Sequence, residues 1–174
     1  MMINKLRKTA MGVFSGFAFF ISCPALADNS PTQKILPLDL SMRAAMAAVQ
    51  QCNNDGHKVS VAITDQAGLL KVQLKGDGAG PHTLDSSFRK AYTANSLRDS
   101  THKFAVMAAN NPELQGLARM NEKILLLGGG FPIIINGETI GGVGVGGAPG
   151  VKLDEACARA ALRFLKADEM KEKR

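Results

Sequence analysis

The chain has 174 residues, with 21 lysines and arginines against 15 acids, and 45% of it is hydrophobic. That length and apolar content allow one ordinary domain whose core needs no staples. The positive balance comes without a Lys/Arg cluster interleaved with aromatics, which argues against nucleic acid as a partner.

Residues 1–27 read as a secretory leader and not as fold. Lys5, Arg7 and Lys8 make a charged start, residues 10–22 are almost wholly apolar, and Ala25-Leu26-Ala27 offers a small-residue cleavage site before Asp28. The apolar stretch is short of the ~20 residues that a spanning helix needs. The expectation is therefore export, with cleavage near Ala27, to a periplasmic or secreted location and no stable membrane insertion afterwards. Phe20-Ile21-Ser22-Cys23 resembles a lipobox only loosely. Losing Lys5, Arg7 and Lys8 lowers the formal charge from +6 to +3.

Residues 28–174 form the expected single domain. Residues 28–37 are a polar lead-in. Leu40, Ala44, Ala47, Ala48 and Gln51 recur at three and four, which predicts a helix over 38–54, stopped by Asn53-Asn54-Asp55-Gly56. Residues 59–63 alternate as a strand, Asp65-Gln66-Ala67-Gly68 turns, and 69–74 returns as a hairpin. A glycine-rich loop, 76–81, leads to a helix over 83–97, with Phe88, Ala91, Tyr92 and Ala94 on one side. Short helices are expected over 100–109 and 112–120, and a short strand over 123–127. Residues 131–135 and 138–145 are strands joined by Asn136-Gly137, the strongest two-residue hairpin signal. A last helix covers 152–167, with Asp154 and Glu155 well placed against its dipole. Residues 171–174 are a charged end. Two hairpins with helices against them make an α+β layout.

Cys52 and Cys157 each occupy an apolar position of a helical pattern. An exported compartment permits a bridge between them, but two separate buried thiols are the favoured expectation. Neither lies in a Cys-x-x-Cys, which argues against thiol-redox catalysis.

Gly142-x-Gly144-x-x-Gly147 carries the letters of a dinucleotide fingerprint. That reading needs half of a βαβ unit, yet Asn136-Gly137 puts the glycines in a hairpin. The alternation suggests something else. Val143 and Val145 share one face, and Gly142, Gly144 and Gly146 leave the other bare, so that a helix, a subunit or a flat ligand can approach the backbone. Free N–H groups over 147–150 offer only a weak anion site.

These residues also carry a resemblance. Gly129-Gly130-Phe131-Pro132-Ile133, then Ile140-Gly141-Gly142-Val143-Gly144-Val145-Gly146-Gly147-Ala148, then Asp154-Glu155-Ala156-Cys157-Ala158, resemble the GlcG/HbpS-like family of haem-binding proteins. Ala62-Ile63-Thr64-Asp65-x-x-Gly68, Asp77-Gly78-Ala79 and Phe88-Arg89-Lys90-Ala91-Tyr92-Thr93-Ala94 agree upstream, so the likeness spans nearly all of 28–174. Gly146-Gly147 stands where many members have Ser-Gly. The resemblance implies a profilin-like, five-stranded antiparallel sheet flanked by helices and assembled into homo-oligomers. It also implies haem or a related tetrapyrrole as ligand and a non-enzymatic role in haem handling or redox sensing. The family includes proteins encoded with glycolate utilisation and the C-terminal domain type of PduO corrinoid adenosyltransferases, whose transferase chemistry belongs to another domain.

Haem needs an apolar slot and usually an axial His, Met, Tyr or Cys. His82, after the glycine loop and before the Phe88/Tyr92 helix, is the first candidate ligand of the iron, against the plainer reading of a solvated loop histidine. His102 and Tyr92 are further candidates, and His57 a weak one. Arg89 and Lys90 suit propionates, unless they are ordinary solvated helix charges. Met107 and Met120 read as core. No His-x-x-x-His metal spacing and no Gly-x-Ser-x-Gly elbow appears. Two rival functions stay open: an enzyme or enzyme subunit acting on a small carboxylate such as a 2-hydroxy acid around Asp77, His82 and Arg89, and an oligomeric interaction module.

Overall fold

The computed structural model describes residues 33–167. The expected leader, its expected cleavage site and the charged C-terminal end lie outside the described residues. Nine elements follow in order: α1 (Leu38–Asn54), β1 (Ser60–Asp65), β2 (Leu70–Lys75), α2 (His82–Leu97), α3 (Thr101–Asn110), the 3-10 helix η1 (Pro112–Arg119), β3 (Gly130–Ile135), β4 (Glu138–Gly146) and α4 (Val151–Leu165).

The strands form one antiparallel sheet in the order β2-β1-β4-β3. Each hairpin contributes an edge and a centre. Asn136 and Gly137 both take positive φ, as the tight β3–β4 turn demands. Pro132, which has no N–H to donate, sits on edge strand β3.

The two faces of the sheet differ in side-chain size. One carries Val61, Ile63, Phe131, Ile133, Val143 and Val145, and buries them against Ala44, Ala45 and Ala48 of α1 and Ala158 and Ala161 of α4. This is the hydrophobic core. The other face presents Ser60, Ala62, Thr64, Gly142, Gly144 and Gly146, with Ser60 opposite Gly146, Ala62 opposite Gly144 and Thr64 opposite Gly142. Helix α2 fills that bare face. A Cβ on Gly142 would stand 2.2 Å from the Ala91 carbonyl oxygen, and one on Gly144 2.2 Å from that of Ser87 and 2.4 Å from the Ala91 nitrogen. The glycine strand is thus a helix seat, and the dinucleotide letters have no space left for a cofactor. Gly144→Ala drives a methyl into helix backbone, which cannot yield as a side-chain tip would. It is expected to cost about 3 kcal/mol or more, read as a fall in the urea midpoint. An unchanged midpoint would mean that α2 does not sit on this strand.

Four expectations need correction. The sheet has four strands among the described residues, where five were expected. Segment 123–127 is not a strand because side chains of α2 take up its backbone groups. Thr93 Oγ1 accepts from Leu125 N at 2.8 Å, and Arg89 donates to Ile124 O at 2.8 Å. Cys52 and Cys157 are not separate thiols but a disulfide, with Cα atoms 5.5 Å apart, clamping α1 to α4 inside the core. The apolar positions that suggested buried thiols face each other. Met107 and Met120 are not core but 39% and 58% exposed, because the segment that holds them has little protein beneath it.

Candidate functional site

The outer face of α2 gathers three of the residues singled out from sequence. His82 is the first residue of the helix and is exposed, with its ring over Gly80. Leu84, Phe88 and Tyr92 follow at four-residue intervals, which puts them on one stripe. Leu84 is exposed, and the Phe88 and Tyr92 rings lie 6.2 Å apart and tilted by 54°. Gly68 makes room for Tyr92, since a Cβ there would come within 3.1 Å of the ring. The Lys123 ammonium lies 5.5 Å from the centre of the same ring.

Arg89 projects between these groups and segment 123–125. Its guanidinium donates to Ile124 O and pairs with Asp85 Oδ2 at 3.3 Å. Its Nε is buried without a partner, the one such side-chain atom among the described residues. His82 and Arg89 are seven residues apart, about 10 Å along the helix axis. The Arg89 guanidinium is already held by Asp85 and by the Ile124 carbonyl.

His102 stands apart from this face. It lies on α3, half-buried, and shares the surroundings of Gly128 with Val151 and Glu155 of α4. His57 also lies elsewhere, near enough to Asp154 to favour its charged form. A groove of about 360 Å³ between α1 and β2, lined by Met46, Val49, Leu74 and Asp77 among others, shares no lining residue with α2. No group of three or more His, Cys, Asp or Glu side chains among the described residues suits a metal ion by itself.

Sequence reasoning missed the most unusual polar feature, which is structural. Lys90 is turned inward and not toward solvent or a ligand. Its Nζ donates to Asp154 Oδ2 at 2.8 Å and to Val145 O at 2.9 Å. Asp154 Oδ1 accepts from Ala148 N at 3.0 Å, so part of the 147–150 turn is already occupied by the protein's own carboxylate. Both side chains are almost fully buried. Gly129, at positive φ, closes over them; a Cβ there would stand 2.8 Å from Asp154 Cβ and 3.0 Å from Lys90 Nζ. Burial pushes the Asp154 carboxyl above its ordinary value, against the opposing pull of Lys90, the Ala148 N–H and His57. A signal was present: Lys90 shares the sheet-facing stripe of Ser87, Ala91 and Ala94.

The family model for HbpS-like proteins, described as "Haem degrading protein HbpS-like", matches residues 36–163. This chain belongs to the HbpS-like family. It is 39% identical to a double mutant of HbpS from Streptomyces reticuli, with a TM-score of 0.73 over 83% of this chain and 97% of that one. A structure described as a complex of PduOC with haem is 25% identical, with a TM-score of 0.71 over 78% of this chain and 98% of that one. An uncharacterised 15.0 kDa protein of the dhaT-dhaS intergenic region of Citrobacter freundii is 34% identical, over 75% of this chain and 94% of that one. These likenesses confirm the α+β family fold expected from the glycine strand and the Asp154-Glu155 helix start.

Proposed function

We propose that this chain is an exported protein that binds haem or a related tetrapyrrole, with a non-enzymatic role in haem handling or redox sensing, and that it works as a homo-oligomer. The observation that carries the ligand is the likeness to a family member solved with haem over nearly its whole length. Export rests on the charged start, apolar run and small-residue site of residues 1–27. Among the described residues no helix is long and apolar enough to cross a membrane.

The residues on the outer face of α2 fit the group. Leu84, Phe88 and Tyr92 offer apolar and aromatic surface, His82 an accessible imidazole for the iron, and the partly exposed Arg89 and exposed Lys123 positive charge for the propionates. Bound haem would supply a coloured, redox-active iron centre. The chain's own part is to hold the imidazole at the start of α2 and to shield one ring face from water. The small-carboxylate alternative has less support, since the Arg89 guanidinium is already paired with the protein's own Asp85 carboxylate.

His82→Ala is expected to weaken hemin binding at least about tenfold, or ~1.4 kcal/mol, and to alter the Soret band, while His102→Ala leaves both as they are. Absorption titrations of the two variants beside wild type check this. The opposite ranking would move the ligand to the Gly128 side of the protein. The family description supplies a second reading, haem degradation. Loss of the Soret band at constant protein, after adding a reductant under oxygen, distinguishes turnover from binding.

A further inference from the structure

We infer that the 3-10 helix η1 pairs antiparallel with η1 of a second copy of this chain, across a two-fold axis at Gly116. In a 3-10 helix, residues three apart eclipse one another. Glu113, Gly116 and Arg119 therefore form one ridge, and all three are exposed. Leu114 and Leu117 form the neighbouring ridge and are half-buried. The exposed ridge is self-complementary, with an acid at one end, a base at the other and a glycine midway. Glu113 and Arg119 stand about 12 Å apart along the axis, so they do not neutralise each other within one chain. Neither makes an ion pair among the described residues.

A two-fold contact is isologous, so residue i meets j and j meets i. Laid antiparallel about Gly116, each Glu113 faces Arg119 of the second copy, giving two reciprocal pairs. A Cβ on Gly116 meets nothing within 4 Å in its own chain. The missing side chain leaves the centre open for another backbone to come close.

The state of the surrounding arm supports the same reading. Among its described residues α3 buries only Thr101, and η1 buries none. Helices of ten and eight residues are marginal in water without a packed face. Val106 and Met107 on α3 and Met120 after η1 are likewise exposed apolar side chains of this arm.

This inference deepens the homo-oligomer reading by naming a surface, and sedimentation equilibrium of the full protein and charge-swapped variants separates the two. Glu113→Arg sets two guanidinium groups against each other twice, and Arg119→Glu does the same with carboxylates. Each is expected to weaken self-association at least about tenfold. The double swap, Glu113→Arg with Arg119→Glu, restores it, and mixing the two single variants gives a heterodimer. These sites are exposed, so circular dichroism should show every variant folded. A wild type that is monomeric at every concentration overturns both the surface and the oligomer reading. Single swaps that associate as well as wild type overturn the surface alone. Weakened single swaps that neither the double swap nor mixing rescues overturn the antiparallel pairing.

Discussion

Replacing Cys52 and Cys157 together by alanine is expected to lower the free energy of unfolding by about 4–5 kcal/mol. The bridge closes a separation of 105 residues, so its loss frees most of the domain in the unfolded state. For a domain of this size the melting temperature should fall by roughly 15 °C or more. Both cysteines have no exposed surface, so a reductant reaches them only when α1 and α4 part. Reduction of the native protein should therefore track its unfolding rate, which a thiol-trapping time course measures. A bridge reduced in seconds under native conditions would show that α1 and α4 separate readily.

The second large effect is expected at Lys90 and Asp154. Removing one partner leaves the other as an uncompensated buried charge, so Lys90→Met or Asp154→Asn alone should cost about 3–5 kcal/mol. Replacing both with apolar residues of similar volume, as in Lys90→Met with Asp154→Leu, should cost far less than the two single changes added together, because no charge is left stranded. Denaturant unfolding of the two single variants and the double variant gives the coupling. The pH dependence has a definite sign. The folded carboxyl titrates above its ordinary value of 3.8, so between those two points the native state holds more protons than the unfolded chain. The contribution of Asp154 to stability therefore declines as pH rises through that window and is constant above it. The stability gap between wild type and Asp154→Asn should narrow over the same window. A gap that widens with rising pH would mean that Lys90 outweighs burial.

Much of the fold was legible because its signals are local. The three-and-four spacing from Leu40 to Gln51 and the stop at Asn53-Asn54 predict α1 at its observed bounds. Asn136-Gly137 predicts the β3–β4 turn, and the Gly-Val alternation predicts a close approach to one face of β4. What the pattern does not say is which neighbour approaches, because α2 arrives from about fifty residues upstream in the chain. The disulfide is invisible for the same reason: apolar spacing places Cys52 and Cys157 on inner faces without saying that the faces oppose. Segment 123–127 has strand-like letters, but partners on α2 compete for its backbone.

The candidate site was legible in part. Sequence picks out His82, Arg89 and Tyr92, and the fold sets them along one helix face. It also picks out His102, which the fold places beside Gly128 and Glu155 instead. Lys90 looked like a surface charge beside Arg89, yet one step around the helix turns it through about 100° and into the protein. Its carboxylate partner comes from the opposite layer of the fold, a pairing that no local spacing reveals.

The most direct test of the central claim is a titration of the purified wild-type protein with hemin, followed at the Soret band, with unrelated protein as control. Haem binding predicts a saturable spectral shift at a fixed ratio of hemin to chain. A shift that climbs without saturating, as it does for the control, would contradict it.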